Sequence, residues 1–270
     1  MKTRIISGAV FTAVMALLFF AVPPVVTAVA MAALCVMASW ELLHATGLVK
    51  SLWLNGCSAV MAVLVCLWSY LGGSDSAMLA AVLGYTAVLF GHMLYTAGKT
   101  PVAQMGYCLL SGLLIPVLLS ALLRLRVMPQ GRLLLLIPFI MAYCSDTGAY
   151  FIGVCFGKHK MCPRISPKKS WEGFAGGIAA AVLVMLAYAL ILERTTQLQI
   201  RLVPALVYGL VGALGSVFGD LMMSVIKRQT GIKDYGRLIP GHGGILDRFD
   251  SVLITAPLTE ALLLLIPMVV

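Results

Sequence analysis

The chain has 270 residues, of which 61% are hydrophobic and 11% are charged, and its formal net charge is +9. A soluble domain carries about 25% charged residues, so this composition excludes a protein whose main solvent is water. The excess of positive charge suits anionic lipid headgroups or nucleotides. Nucleic acid is not an expected partner, because the sequence shows neither a soluble basic domain nor an aromatic stacking platform.

Nine apolar runs recur from end to end, each near the length of about 20 residues that crosses a hydrocarbon core as a helix. They lie near residues 5–22, 25–43, 52–71, 77–96, 102–123, 133–156, 174–192, 202–226 and 251–269. Backbone polar groups in lipid must be satisfied internally, and closed barrels show short alternating strands instead. The sequence therefore predicts an all-α, polytopic integral membrane protein with about nine transmembrane helices.

The first run follows Lys2 and Arg4, and it has a second interpretation as a signal peptide with Ala28-Val29-Ala30 as the cleavage site. The apolar run is too long for that interpretation. Pro23-Pro24 is more typical of a tight link between two spans, so we expect the first run to be a membrane helix.

The basic residues are unevenly divided between the two sides of this topology. Of the 19 Lys and Arg residues, 14 fall on one side, including five in each of two long loops, and five fall on the other. The positive-inside rule places the more basic side in the cytoplasm. We therefore expect a multi-pass protein of the cell membrane whose basic loops, 157–172 and 227–250, carry a site that faces the cytoplasm.

The polar residues divide the chain into two predicted regions. Residues 1–130 are predicted to be a transmembrane scaffold, in which Glu41 and His44 beside Trp40 are interpreted as interfacial residues without a site role. Residues 131–270 carry acidic side chains inside apolar runs and are predicted to be the catalytic region. The seven cysteines form no CxxC pair and are interpreted as small hydrophobic residues rather than a zinc site.

Asp146 lies inside the sixth apolar run, where a central carboxylate costs about 3 kcal/mol. Its charge needs a partner or a water-filled cavity. Asp146 shares one helix face with Tyr143 and Tyr150, which predicts a polar cleft. The alternative is a structural hydrogen-bond acceptor near the end of the span.

The loop 157–172 contains five basic residues, among them Lys168 and Lys169. Taken alone, such a loop is more typical of a topology signal or a lipid-surface patch than of a catalytic segment. Ser170 is predicted to cap the seventh helix, and Trp171 is predicted to lie at the headgroup interface.

Asp220 lies on the eighth run, within a polar stripe along an otherwise apolar helix. The stripe consists of Ser216, Asp220, Ser224 and Lys227, which follow helical spacing. A structural pair of Asp220 with Lys227 explains two members of the stripe but not all of it. Gly212, Gly215 and Gly219 beside the stripe are predicted to let another helix approach closely.

The last loop combines basic residues, glycines and carboxylates. Gly241, Gly243 and Gly244 permit backbone conformations that turn amide N–H groups toward an anion, while Lys and Arg pair with phosphate oxygens. Asp247 and Asp250 lie at the start of the ninth helix, where Asp250 is alternatively the N-cap. Because Mg²⁺ prefers one or two carboxylates with waters and substrate phosphates, the segment predicts a magnesium site that handles phosphate groups.

These residues resemble the phosphatidate cytidylyltransferases, also called CDP-diacylglycerol synthases. The pattern of that family is matched by Ser224, Lys227-Arg228, Lys233-Asp234, His242-Gly243-Gly244 and Asp247-Arg248-Phe249-Asp250. The upstream segments Asp146–Tyr150 and Ile165–Gly173 also look like that family. The resemblance is specific over about residues 143–250, whereas the N-terminal half agrees only in its hydrophobicity.

The resemblance implies that CTP and phosphatidate react to give CDP-diacylglycerol and pyrophosphate, in a homodimeric membrane enzyme that requires Mg²⁺. Asp220 and Asp247 would hold a two-metal centre, whose second cation the sequence does not identify. The implied catalytic residues are Asp146, Asp220, Lys227, His242 and Asp247. The implied substrate-binding residues are Lys168, Lys169, Ser224, Arg228, Lys233, Gly243, Gly244, Arg248 and Asp250.

Two other classes of membrane protein compete with this interpretation. A secondary transporter predicts acidic residues spread along several spans and an inverted repeat, whereas here the acidic residues cluster with a glycine-rich turn. A CDP-alcohol or polyprenyl-phosphate transferase carries DxxDG or DDxxD motifs, and neither occurs in the sequence. The chain also lacks a GxxxxGK[ST] segment, which excludes a Walker-type nucleotidase.

Overall fold

The computed structural model describes residues 2–47, 49–239, 241 and 243–269, with side chains described from residue 7 onward. The helices are α1 (Lys2–Ala16, continued by a π-helical turn, Leu17–Ala21), α2 (Pro24–Thr46), α3 (Leu52–Leu71), α4 (Asp75–Tyr95), α5 (Val102–Val127), α6 (Gly131–Phe156), α7 (Trp171–Thr195), α8 (Leu202–Gln229), α9 (Leu246–Phe249) and α10 (Val252–Leu265). Two short strands, β1 (Lys160–Cys162) and β2 (Ser166–Ser170), pair in antiparallel fashion.

Within the described residues, seven helices, α2 to α8, are long and apolar enough to cross a membrane. The chain is therefore an all-α, multi-pass membrane protein, as the sequence predicts. The first and last predicted spans form shorter apolar helices, Ser7–Ala21 and Val252–Leu265. The count of nine spans stays a prediction.

Proline, glycine and serine fix several helix boundaries. The predicted link at Pro23-Pro24 is confirmed: Pro23 is extended, with φ −61° and ψ 151°, and Pro24 opens α2. Helices α2 and α3 end at Gly47 and Gly72, whose φ values of 64° and 61° lie in the left-handed region that glycine tolerates. The Ser51 side chain accepts a hydrogen bond from an amide in the first turn of α3.

Two of the long helices contain a π-helical turn, Leu110–Leu114 in α5 and Ile140–Cys144 in α6. A π-helical turn inserts one residue and so rotates the helix face that follows it, and such turns are frequent at functional sites. In α6 the turn directly precedes Ser145–Phe156, the segment that carries Asp146.

The described chain divides into two compact units. The first contains the residues up to Arg132 together with Thr230–Phe249, and the second contains Leu133–Gln229 together with the residues from Asp250 onward. The last basic loop thus packs with α1 to α5. The predicted boundary at residue 130 and the predicted roles of the two regions stay predictions.

The first unit has a core between α2, α3, α4 and α5. Its members include Leu43, Leu54, Met61, Val65, Leu89, Met105 and Cys108. A polar connection crosses this core: the Tyr85 hydroxyl donates to the Cys108 carbonyl at 2.8 Å and lies 2.8 Å from the Ser58 hydroxyl. The hydrogen bonds satisfy polar groups that would otherwise be costly to bury.

In the second unit, small residues bring α6 and α7 close together. A Cβ added to Gly177 would lie 2.8 Å from the Ser145 carbonyl oxygen, and one added to Gly173 would lie 2.7 Å from the Ala149 carbonyl oxygen. These glycines therefore let the two helix backbones approach. Their close packing fixes the position of Asp146 on α6.

Candidate active site

The second unit contains an ion pair between strand β2 and helix α8. The Lys169 ammonium lies 2.5 Å from Asp220 Oδ2, and both side chains are partly exposed, at 22% and 24%. The Ser224 hydroxyl, one turn after Asp220 on α8, donates to Asp220 Oδ1 at 3.5 Å. Asp220 thus has Lys169 as a partner, which the predicted Asp220–Lys227 alternative does not include.

The β-hairpin explains why Lys169, rather than its neighbour Lys168, reaches Asp220. Side chains alternate between the two faces of a strand. Lys168 is exposed and Lys169 is partly buried, whereas Ser170 at the end of the strand is buried. The sequence interpretation of this segment as a basic loop did not include the hairpin.

The end of the hairpin is held by the start of α7. Ser170 is the N-cap, since its hydroxyl accepts a hydrogen bond from the Gly173 amide at 3.2 Å, which confirms the prediction. The Glu172 carboxylate accepts hydrogen bonds from the amides of Lys158 and His159 and lies 2.6 Å from His159 Nδ1. These contacts fix both ends of the loop that presents Lys169.

Asp146 has the polar partners that its position inside a membrane helix requires. Ser216 on α8 donates to Asp146 Oδ1 at 3.3 Å, and Ser251 donates to Asp146 Oδ2 at 3.1 Å. Tyr143 and Tyr150 are exposed, at 45% and 66%. Asp146 therefore faces α8 and Ser251.

The glycines of α8 have the role that their spacing predicts. A Cβ added to Gly215 would lie 2.8 Å from the Leu258 side chain, and one added to Gly219 would lie 2.6 Å from the carbonyl oxygen of Asp250. At Gly212, an added Cβ would overlap the Met141 side chain. Helices α6 and α10 thus approach α8 beside the polar stripe.

Asp250 lies at the junction with α10. Its Oδ1 accepts a hydrogen bond from the Ser251 amide at 2.8 Å, whereas Ser251 itself occupies the N-cap position. Burial, followed by the negative charge of Asp220, raises the pKa of the Asp250 carboxyl to about 7. Asp250 is therefore a group that titrates near neutral pH next to the carboxylates of the second unit.

The basic end of α8 also lies in the second unit. Lys227 is buried at 9% exposure, and Arg228 is exposed, with its Nε donating to the Ile165 carbonyl at 3.1 Å. The Arg228 contact connects α8 to the hairpin that carries Lys169. The structure thus groups the residues of the stripe with Asp146, Lys169, Arg228 and Asp250.

In the first unit, Asp247 organises the last loop. The side chain is 6% exposed, and its Oδ2 accepts hydrogen bonds from the amides of Tyr235 at 2.7 Å and Gly244 at 3.0 Å. Asp247 therefore joins the two ends of the segment that contains the glycine turn. Arg248 follows it on α9 and is partly buried.

The glycine turn adopts the conformations that the sequence predicts at two positions. Gly241 and Gly243 have φ values of 79° and 84°, in the region that only glycine occupies freely. Ile239 pairs with Gly243 across the turn, with the Ile239 amide donating to the Gly243 carbonyl at 2.9 Å. His242 lies outside the described residues.

A cavity of about 640 Å³ lies beside this loop in the first unit. Its lining residues are His44, Ala45, Ile232, Lys233, Asp234, Tyr235, Gly236 and Arg237. Lys233 and Arg237 are exposed, so two cationic side chains border a cavity large enough for a small anionic ligand. Sequence reasoning found Lys233 but not His44 or Arg237.

Glu41 has protein partners that its local sequence does not indicate. The side chain is buried within the first unit, at 8% exposure. Its two carboxylate oxygens accept hydrogen bonds from the amides of Ile245 and Leu246, each at 2.9 Å. A glutamate beside a tryptophan is typical of a membrane interface. No local pattern indicates this contact, because its partners lie more than 200 residues away in the sequence.

Metals differ in the number of protein ligands that they need. Within the described residues, no group of three or more His, Cys, Asp or Glu side chains is arranged to hold a metal ion. Zinc sites usually have three or four such ligands. Mg²⁺ keeps waters and takes substrate phosphates as ligands, so one or two carboxylates suffice.

The fold and these clusters define a multi-pass membrane protein with carboxylate and lysine groups suited to phosphate chemistry. The sequence model described as "Cytidylyltransferase family" matches residues 2–266. The chain belongs to this family.

Individual relatives agree with this assignment. A phosphatidate cytidylyltransferase of Haemophilus influenzae is 30% identical over an alignment of 280 residues, gaps included. The alignment covers 95% of this chain and 96% of the relative. One of Staphylococcus saprophyticus is 32% identical over 226 residues, covering 83% and 84% of the two chains. One of Staphylococcus aureus is 44% identical over 135 residues, or 50% of each chain. The similarity therefore extends well beyond the loop motifs.

Proposed function

We propose that this chain is a phosphatidate cytidylyltransferase, which transfers the cytidylyl group of CTP to phosphatidate and releases pyrophosphate. The observation that carries the proposal is similarity to phosphatidate cytidylyltransferases over 95% of the chain. The product is CDP-diacylglycerol, so the enzyme acts in phospholipid synthesis. A lipid substrate accords with a chain whose helices are membrane-spanning.

The reaction forms one phosphorus–oxygen bond and breaks another. A phosphate oxygen of phosphatidate attacks the α-phosphorus of CTP, and the bond from that phosphorus to the oxygen bridging to the β-phosphate breaks. Pyrophosphate leaves with the bonding electrons. An ionised phosphate oxygen needs no general base, so positioning and charge neutralisation are the main tasks of the protein.

We propose that the second unit contributes Asp220, Lys169 and Lys227 to these tasks. The Lys169 ammonium pairs with the Asp220 carboxylate and orients it, and it adds a positive charge for phosphate oxygens. Lys227 is largely removed from water, where a cation interacts more strongly with a phosphate than it does in solution. Asp146 accepts hydrogen bonds from the hydroxyls of Ser216, one turn before Asp220 on α8, and of Ser251.

In the first unit, we propose that Asp247, Lys233 and the glycine turn bind the nucleotide. Asp247 is held by two amides of its own loop, and Lys233 borders the adjoining cavity. Phosphate oxygens fit a cavity edged by cations, and amides of a glycine-rich turn also suit an anion. From the sequence motif, we also propose that His242 acts with these glycines on the triphosphate.

We propose Asp220 and Asp247 as ligands of Mg²⁺, each to be tested separately. When bound, Mg²⁺ supplies positive charge that neutralises phosphate oxygens of the substrate. The protein's own part is to hold the carboxylates in place, through Lys169 at Asp220 and through backbone amides at Asp247.

We further propose that the site faces the cytoplasm. Most of the Lys and Arg residues fall on one side of the predicted topology, and that side is cytoplasmic under the positive-inside rule. CTP is a cytosolic nucleotide, so this orientation gives it access. Phosphatidate would enter from the bilayer.

The proposal is tested with purified protein in liposomes that contain phosphatidate. We expect pyrophosphate release that requires CTP, Mg²⁺ and phosphatidate together. Liposomes with diacylglycerol in place of phosphatidate are the control, because they lack the attacking phosphate. Pyrophosphate release at the same rate from those control liposomes, or none from phosphatidate liposomes, would contradict the proposed function.

A further inference from the structure

Glu41 is a buried carboxylate within α2, far along the chain from the loop that it contacts. Its Oε1 accepts a hydrogen bond from the Ile245 amide and its Oε2 accepts one from the Leu246 amide, both at 2.9 Å. Burying a carboxylate is costly unless such hydrogen bonds compensate for lost hydration. The contact therefore fixes the backbone directly before Asp247.

Two glycines of the loop leave the space that this carboxylate occupies. A Cβ added to Gly236 would lie 2.5 Å from Glu41 Oε1, and a Cβ added to Gly244 would overlap both oxygens of Glu41. Any larger residue at either position would displace the Glu41 side chain. The space that Glu41 occupies therefore requires a glycine at position 244, independently of any role in phosphate binding.

Glu41 and Asp247 act on the same short segment. Asp247 accepts from the amides of Tyr235 and Gly244, and Glu41 accepts from the next two amides after Gly244. The two carboxylates thus accept hydrogen bonds from four backbone amides, which lie on both sides of the glycine turn. The arrangement leaves little freedom in the position of Asp247 relative to the turn.

We propose that Glu41 is a positioning residue, whose carboxylate holds the loop around Gly244 so that Asp247 and the turn bind the metal-bound nucleotide. This inference rests on the proposed cytidylyl transfer. Glu41 acts only through the loop and touches no reacting atom. Its loss impairs nucleotide and metal binding rather than phosphatidate binding.

The first test replaces Glu41 by glutamine, which keeps the size but turns one acceptor oxygen into an NH₂ donor facing a backbone N–H. Losing a hydrogen bond to a charged acceptor corresponds to about a tenfold effect. We expect the CTP and Mg²⁺ concentrations for half-maximal rate to rise about tenfold, with the value for phosphatidate unchanged. Glu193→Gln, at an exposed glutamate on α7, is the matched control.

Two outcomes of this test would overturn the proposal. One is that Glu41→Gln keeps wild-type values for CTP and Mg²⁺. The other is that all three half-maximal concentrations rise equally while the yield of folded protein falls, since that is the result of a general structural defect.

A second test uses the steric relation between Glu41 and Gly244. Gly244→Ala should raise the half-maximal CTP concentration strongly in the wild-type background. In a Glu41→Ala background, where the space is already empty, Gly244→Ala should raise that concentration much less. Such non-additivity is typical of residues in contact. An equal effect of Gly244→Ala in both backgrounds would contradict the proposed packing.

Amide hydrogen exchange separates this inference from the proposed function. In Glu41→Gln, the amides of Ile245 and Leu246 should exchange faster than in the wild type, whether or not the protein has transferase activity. An inactive wild type would overturn the proposed function. The exchange rates would still show whether Glu41 holds the backbone at Ile245 and Leu246. Unchanged exchange at both amides would overturn the positioning role itself.

Discussion

Lys169 and Asp220 form an ion pair at 2.5 Å between strand β2 and helix α8, although 51 residues separate them in sequence. The strand presents Lys169 toward α8 and leaves Lys168 exposed. The pair is partly solvated, so its contribution to stability is small. Its proposed role is to keep a carboxylate and a cation together where we propose that phosphate groups bind.

Replacing Lys169 by methionine should therefore damage activity much more than stability. Removing one electrostatic contact to a reacting group typically lowers kcat by about 100-fold or more, and we expect a loss of that size. Lys169→Arg should retain more activity because it keeps the charge. Rates of pyrophosphate release and melting temperatures provide the measurements.

Lys160→Met is the control for this prediction, since Lys160 is an exposed lysine on the partner strand β1. It should keep wild-type activity. If Lys169→Met does the same, the ion pair has no part in the reaction.

The raised pKa of Asp250 predicts a pH-dependent stability. Its pKa is about 7 in the folded protein, whereas a carboxyl in an unfolded chain has a pKa of about 3.9. Protonation of Asp250 stabilises the folded protein in full below the unfolded pKa, and this stabilisation is lost as pH rises through about 7. Without metal, the free energy of unfolding of the wild type should therefore fall with rising pH, relative to that of Asp250→Asn.

This prediction is checked by melting both proteins in detergent with EDTA across that pH range. Asn cannot titrate, so the variant removes only the contribution of the Asp250 carboxyl. Parallel pH profiles for the two proteins would show that the carboxyl does not titrate near neutral pH in the folded state.

Gly219 on α8 gives a test of helix packing. Its added Cβ would lie 2.6 Å from the Asp250 carbonyl oxygen, which belongs to the backbone and cannot rotate away. Gly219→Ala should lower the free energy of unfolding by about 1–3 kcal/mol, the usual cost of overpacking. Denaturant or thermal unfolding in detergent measures this change.

Gly84→Ala on α4 is the matched control, because no atom lies within 4 Å of a Cβ added there. It should leave stability unchanged or slightly higher, since alanine favours helix more than glycine does. Similar losses of stability in both variants would mean that the close approach of Asp250 to α8 does not limit the side-chain size at residue 219.

Local features of the fold were predictable because they depend on short sequence patterns. The apolar runs predict the long helices, the Pro23-Pro24 pair predicts a helix boundary, and Ser170 predicts an N-cap. The spacing of Ser216 and Asp220 places both on one face of α8. Each of these inferences needs only the helical period or the chemistry of a helix end.

The tertiary partners were not predictable in the same way. The sequence offers Lys227 as a partner for Asp220 but does not indicate Lys169. The strand that directs Lys169 inward contains a proline and has no alternating apolar pattern. Glu41 resembled an interfacial residue, and its true contact depends on how a distant loop packs against α2. Such pairs are set by packing between elements, which one sequence does not encode as a local pattern.

The most direct test of the central claim follows the α-phosphate of CTP into lipid. CTP labelled at that phosphate is given to the purified protein with phosphatidate and Mg²⁺, and label in CDP-diacylglycerol is counted. The wild type should transfer the α-label to lipid, while Asp220→Asn and Asp247→Asn should each lose about 100-fold or more of that rate. Label that stays in the aqueous phase with the wild type, or full transfer by both folded variants, would contradict the proposed function and its site.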